Sequence, residues 1–351
     1  WQLAGVPVMP TTGEVKGHKG MDAYKSTYSH ETEIVKPGYH KVELDTYQIR
    51  VELTSTSRVG MHRYTYPAGE KANVLFDVGA LLAHGKTEKA AIHRISSKEI
   101  GGYSVLAPTS RRKKPVTVYF VARFNQNMTA FGGWEKEGKE KKLVHKNSIE
   151  GADIGGYASF GKLKKQTLLM KVGISYVSEE QARINLEKEL AHWNFDRVKE
   201  DAFAEWNREL GKITVEGGSE EEKIKFYTDL WHSLLGRHTF SDFNGKYIDN
   251  TGEADRTNMV SYSLYTLSRN ILQLLIMFCP SFVYSVFIGT LFFYWTSGPF
   301  SPASMLPERN PSASRVIYTN PIFFKRLTIS FRPFINTSKA SGSSSRRTIS
   351  P

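Results

Sequence analysis

The sequence predicts a mainly β protein with α-helical additions: an antiparallel β-sandwich followed by helices. Two observations carry this expectation. Short stretches with a two-residue apolar period fill the first half, with no βαβ rhythm and no GxGxxG turn. After Val177 the period changes to 3.6, and helix-capping residues appear.

The strands come first. Tyr39-His40-Lys41-Val42-Glu43-Leu44 and Ile49-Arg50-Val51-Glu52-Leu53-Thr54 alternate apolar and polar, so each has one wet and one buried face. Pro37-Gly38 leads into the first and Asp45-Thr46 joins it to the second, a hairpin arrangement. Arg58–Tyr64, Asn73–Asp77, Ala91–Ile95, Gly102–Leu106, Val116–Phe124 and Leu168–Tyr176 read as further strands. The Gly/Lys-rich stretch Gly132–Lys142 reads as a loop between them.

The helices follow. Ser178-Glu179-Glu180-Gln181 has the form of a capping box and opens a helix to about Ala191. A second helix carries Phe195, Val198, Ala202, Trp206 and Leu210 on one stripe. Gly217-Gly218 breaks the chain, and Ser219-Glu220-Glu221-Glu222 starts a third with Ile224, Tyr227, Trp231, Leu234 and Leu235 on its apolar side. The expected divisions are a sandwich over 1–177, a helical linker over 178–218, the start of an all-α domain over 219–262 and a tail over 263–351.

Charge and cysteine content exclude several classes. The net charge is +12, but Arg269 onward holds nine Lys/Arg against Glu308 alone, so the body is only mildly basic. With no RNP aromatics, zinc knuckle or recognition helix beside that charge, nucleic acid is not an expected partner. Cys279 is the only cysteine, so no intramolecular disulfide or CxxC zinc site can form. His84, His93 and His145 are scattered and read as ordinary surface histidines; neither GxSxG nor HExxH occurs.

The tail is apolar and then basic. No charged residue occurs from Asn270 to Pro307, and 271–295 is long enough to span a bilayer, although Pro280 and Gly289 interrupt it. The Ser/Arg/Pro-rich end, 296–351, reads as disordered. Were 271–295 to span, the positive-inside rule would put the sandwich in the lumen or outside, where Asn127-Met128-Thr129 is a glycosylation sequon. A three-residue match of that kind is also common by chance.

Three ordered stretches resemble glycoside hydrolase family 92 over about residues 4–260. The first holds Pro7-Val8-Met9-Pro10-Thr11-Thr12-Gly13, Tyr28-Ser29-His30-Glu31-Thr32-Glu33, Lys36-Pro37-Gly38-Tyr39-His40-Lys41-Val42 and Val51-Glu52-Leu53-Thr54-Ser55-Thr56-Ser57-Arg58-Val59-Gly60-Met61-His62-Arg63-Tyr64. The second runs from Lys171-Val172-Gly173-Ile174-Ser175-Tyr176 through Ala182-Arg183-Ile184-Asn185-Leu186 to Trp206-Asn207. The third is Phe226-Tyr227-Thr228-Asp229-Leu230-Trp231-His232, ending in Phe240-Ser241-Asp242-Phe243-Asn244-Gly245-Lys246-Tyr247.

The resemblance implies a supersandwich joined by helices to an (α/α)6 barrel that this chain begins and does not complete. It also implies hydrolysis of α-linked mannose in N-glycans or mannans, with inversion and with Ca²⁺ assisting. Inversion needs a carboxylic acid and a carboxylate about 6.5–9.5 Å apart across the sugar. The family's acid, base and calcium ligands lie downstream of the point where its pattern stops here, so no catalytic or metal residue is carried onto this chain. The implied product is an inactive fragment, missing as well a sugar-contacting segment upstream of Val6.

His238 and Asp242 are the candidate substrate-binding residues, near the family's cleft. The competing reading makes Ser241–Gly245 a turn whose Asp and Asn side chains bond local backbone, with Gly245 at positive φ. Mannose-containing glycans are the expected partners, and the secretory pathway or cell exterior the expected location. The alternative function is a non-catalytic carbohydrate-binding sandwich tethered to a membrane by 271–295.

Overall fold

The computed structural model describes residues 5–248 except 81–84, 110–112, 139, 236 and 240, together with short strands at 254–256, 260–262 and 318–319. The apolar segment 271–295 lies outside the described residues, as does the basic tail 296–351 apart from 318–319.

In chain order the strands of the first domain are β1 (Val6–Thr12), β2 (Ile34–Lys36), β3 (Tyr39–Leu44), β4 (Ile49–Ser55), β5 (Val59–Thr65), β6 (Lys71–Phe76) and β7 (Thr87–Arg94). They continue with β8 (Glu99–Leu106), β9 (Val116–Phe124), β10 (Ala130–Glu137), β11 (Glu140–Val144), β12 (Ser148–Gly151), β13 (Gly155–Lys162) and β14 (Thr167–Ser175). A short helix, α1 (Met21–Tyr24), follows β1. All pair antiparallel into two sheets, as the alternation predicts. One has the order β12-β7-β8-β9-β14-β5-β4-β3-β2; the other has β11-β10-β13-β6-β1, with β19 (Tyr318–Thr319) beside β1.

The sheets pack face to face through aromatic rings. Phe76 of one stacks on Phe120 of the other at 6.0 Å, and Phe124 meets Phe160 at 4.8 Å. Burying an aromatic side chain contributes about 1.5–3 kcal/mol. The nine-stranded sheet is also covered outside: Val59, Met61 and Val121 pack against Ala182, Leu186, Leu190, Phe195 and Val198 of the helices. The middle strands are therefore buried on both faces, which is why Val59-Gly60-Met61 shows no polar alternation.

Several elements differ from the sequence expectation: β2, β12 and β13 are strands it did not include, and 237–262, expected within an all-α domain, carries four short strands. Gly132–Lys142 is not a loop; it belongs to β10 and β11, a hairpin turning at Gly138 with φ 64°. Its composition reflects the packing of Trp134, which is fully buried in a slot between Gly17 and Gly155. A Cβ on either glycine would stand 2.2 or 2.1 Å from the indole. β1 escapes a strand reading because it contains Pro7 and Pro10, tolerated at the margin of a sheet where a donor can be missing.

One buried carboxyl makes this domain pH-sensitive. Asp77 is 4% exposed and accepts a 2.6 Å bond from the Tyr24 hydroxyl, while its other oxygen has no partner. Burial pushes its pKa up to about 6, against the pull of Tyr24. A folded value above the unfolded value of about 4 means that the native state holds the proton longer. Its stability contribution is full below about pH 4 and is lost as pH rises through about 6. The variant Asp77→Asn is expected to remove that decline and to be about 2 kcal/mol more stable than the parent at pH 7. Urea midpoints of both proteins at about pH 3.5 and about pH 7.5, on either side of that window, check this; parallel pH profiles would refute it.

Candidate functional site

Three helices follow the sandwich: α2 (Glu179–Glu189), α3 (Phe195–Leu210) and α4 (Glu220–Leu234). Ser178 caps α2 by accepting from Gln181 N–H, and Ser219 with Glu222 forms a complete capping box on α4. α2 lies on the outer face of β14 and β9. Glu99 of β8 binds both Arg123 of β9 and Arg183 of α2, and Arg123 also reaches Glu187. His93 stands 3.2 Å from Glu179, a pairing that raises its pKa. α3 is fixed by Arg63, which pairs with Glu52 at 2.7 Å and Asp196 at 2.9 Å and lies over the Phe195 ring.

α4 is less covered. Trp231 meets Trp206 of α3 at 6.1 Å, and Tyr227 donates to the Ile213 carbonyl, but Ile224 is 66% exposed. Of the apolar stripe read from the sequence, Ile224 is exposed and Tyr227, Trp231, Leu234 and Leu235 are half-buried, while the buried residues of α4 are Leu230 and Ser233.

After α4 the chain forms β15 (Arg237–Thr239), β16 (Lys246–Ile248), β17 (Ala254–Arg256) and β18 (Val260–Tyr262), paired as β15 with β18 and β16 with β17. His238 occupies β15 opposite Ser261; its side chain is outside the described residues. Asp242 lies in the turn between β15 and β16. Its N–H donates to Lys246 O at 2.7 Å, Gly245 N–H donates to Asp242 O at 2.9 Å, and Gly245 has φ 84°. Asn244 Oδ1 accepts from Lys246 N–H at 3.2 Å.

The Asp242 side chain leaves the turn and is 3% exposed. One carboxyl oxygen accepts from Ser175 Oγ at 2.9 Å, the other from Asn185 Nδ2 at 2.7 Å. Asn185 also donates to Ile174 O at 2.8 Å and accepts from Phe243 N–H at 2.7 Å. Burial raises the Asp242 pKa, against the pull of Asn185 and Ser175. Beside it Arg58 donates to Ser241 O at 2.6 Å and pairs with Glu189 at 2.5 Å. Glu189 also accepts from Arg58 N–H at 2.9 Å and from Thr56 Oγ1 at 2.6 Å. The cavity between Arg58, Ser175, Thr239 and Asp242 is about 10 Å³, room for about one water molecule and far too small for a sugar ring.

Asn185, Arg58 and Glu189 are not among the site residues read from the sequence. Asn185 did leave a signal: an amide between Ala182 and Leu186, on the buried side of α2, needs a partner. Among the described residues there is no group of three or more His, Cys, Asp or Glu placed to hold a metal ion.

Comparison with known proteins places this architecture. The family model for the glycosyl hydrolase family 92 N-terminal domain matches residues 1–175, and that for the family's catalytic domain matches residues 181–310. A β-sandwich followed by the start of a helical domain is thus the fold of a class of glycosidases. The chain belongs to glycosyl hydrolase family 92. The catalytic-domain match runs past residue 260 and takes in 271–295. Among the described residues no helix is long and apolar enough to cross a membrane.

The family GH92 α-mannosidase BT3965 of Bacteroides thetaiotaomicron is 27% identical with a TM-score of 0.65, covering 74% of this chain and 36% of its own; a second structure of it holds mannoimidazole. The family's glycosyl hydrolase ccman5 is 23% identical with a TM-score of 0.67, covering 80% of this chain and 39% of its own. An uncharacterized secreted glycosidase of Arthroderma benhamiae is 30% identical over 78 residues, which is 21% of this chain and 10% of that protein. The chain thus spans little more than a third of the length of the solved structures it matches.

Proposed function

We propose that this chain is the sandwich and domain-joining part of a secreted α-mannosidase that hydrolyses mannose-containing glycans with inversion, assisted by calcium in the complete catalytic domain. The observation that carries the reading is the likeness to BT3965, an α-mannosidase, over 74% of this chain. The Arthroderma benhamiae relative, a secreted glycosidase, supports the location.

Within that function the described residues act as a dock. Asp242 has both carboxyl oxygens committed, to Ser175 of the sandwich and Asn185 of the linker. A carboxylate held this way fixes where the helical domain sits; it has little capacity left for a sugar hydroxyl. Inverting hydrolysis needs a second carboxylate and a fixed water across the sugar, and the one-water cavity beside Asp242 cannot supply that geometry.

The 351-residue chain, purified as written, is expected to release no mannose from an α-1,2-linked mannobiose, with or without calcium. A version extended through a complete catalytic domain is expected to turn over and to lose activity with a chelator. General acid–base assistance alone is worth about 10²–10⁴ in rate, so the contrast is large. Chelator-sensitive turnover by the 351-residue chain that disappears in Asp242→Asn would overturn the reading.

A further inference from the structure

We propose that Asn127 is an N-glycosylation site, at the end of the sandwich remote from the helical domain. Asn127-Met128-Thr129 is the one Asn-x-Ser/Thr match among the described residues. It lies in the connection between β9 and β10. Asn127 and Thr129 are exposed, whereas Met128 between them is 5% exposed and sits in the core. The sequon is therefore anchored by its middle residue and presents its acceptor amide outward.

The bonds around it leave that amide available. Ser97 Oγ donates to Asn127 Oδ1 at 3.0 Å, which leaves the amide nitrogen of this exposed residue, the atom that would carry the sugar, out of that bond. Met128 N–H donates to Ser97 O at 2.7 Å, and Thr129 N–H donates to Ser159 O at 2.7 Å. On the flanking side Asn125 Oδ1 accepts from Leu169 N–H at 2.9 Å and Gln126 donates to Thr167 O at 2.8 Å. The neighbouring turn, residues 94–98, is exposed throughout, so a bulky glycan meets no wall.

Position gives the proposal its functional side. The loop sits at the Thr167 end of β14, and the Asp242 dock sits at the Ser175 end. Eight residue steps of strand separate them by about 26 Å. A glycan on Asn127 thus solubilises this end of the domain well away from the Asp242 dock.

In the reaction the Asn127 amide nitrogen bonds to the anomeric carbon of an oligosaccharide carried on a lipid diphosphate. The bond from that carbon to the diphosphate breaks, the lipid diphosphate leaves with the electron pair, and the amide gives up one proton. The donor and its transferase belong to the secretory membrane, so the site rests on the secreted reading. The test supplies entry separately, which keeps failure of the two apart.

The experiment is translation of the full chain behind a secretory leader with microsomes, followed by peptide N-glycosidase F and mass spectrometry of the protease-protected material. The expected result is conversion of Asn127 to Asp in the peptide Phe124–Lys136, lost in Asn127→Gln and Thr129→Ala and kept in Thr129→Ser. Transfer precedes folding, so a variant that folds poorly is still read. Protected chain with Asn127 unmodified, while a standard glycoprotein in the same microsomes is modified, overturns the proposal. Asn336-Thr337-Ser338, the other match in the sequence, is read on its own peptide and does not confuse the result. A matching translation without the added leader is not needed for the site, because it tests entry alone.

Discussion

Replacing Glu189 with alanine is expected to destabilise the protein by about 3–5 kcal/mol, the cost of leaving a half-buried charge without its partner. Glu189 is 7% exposed in its side chain and Arg58 12%. The carboxylate takes up the Arg58 guanidinium, the Arg58 N–H and the Thr56 hydroxyl, so three donors lose their acceptor at once. Arg58 in turn holds the Ser241 carbonyl, and its release frees the segment that carries Asp242. Urea unfolding of Glu189→Ala measures the loss. A double variant with Arg58→Met separates causes: removing both partners leaves no stranded charge, so the double is expected to cost less than the sum of the singles. A midpoint for Glu189→Ala within about 0.5 kcal/mol of the parent would sink the idea that this pair fastens the linker.

The second large effect is expected at Gly173, in the middle of β14 under α2. A Cβ there would stand 2.4 Å from the Ala182 carbonyl oxygen and 2.7 Å from Leu186 Cβ. The first of these is backbone, which cannot rotate away, so Gly173→Val must lift α2 from the sheet. Overpacking of this kind costs about 1–3 kcal/mol, and the lost contacts of Ala182 and Leu186 add to it. Asn185 stands on the same face of α2, so the bonds to Ile174 O and Asp242 go with it. Amide exchange is the discriminating measurement: α2 and the 241–246 turn should lose protection while β8 and β9 keep theirs. Uniform loss of protection across the sandwich would show instead that the helix and the sheet unfold as one unit.

The sandwich was legible in the chain wherever one face of a strand meets water. β3 and β4 alternate because their outward positions carry polar groups, Arg50 exposed and Glu52 buried but paired with Arg63, and Val116–Phe124 appears in the structure with the boundaries its residues suggest. Legibility failed where the alternation is overruled by packing. The β10–β11 hairpin carries glycines because Trp134 needs their space, and that composition imitates a loop. The helices were legible from their caps, since Ser178 and Ser219 satisfy backbone N–H groups within their own first turns.

The Asp242 region divides along the same line. Local sequence determines the turn itself: Gly245 takes φ 84° and Asn244 bonds the next N–H but one. The direction of the Asp242 carboxylate was decided by residues 57 and 67 positions away in the chain, Asn185 and Ser175, which only the packing of α2 on β14 brings within reach. By itself, then, the sequence determined the order of sandwich, linker and helices, because periodicity and capping are properties of neighbours a few residues apart. Only the tertiary structure decided that the candidate Asp faces a buried dock instead of an open cleft, because burial and long-range hydrogen bonds depend on which surfaces meet.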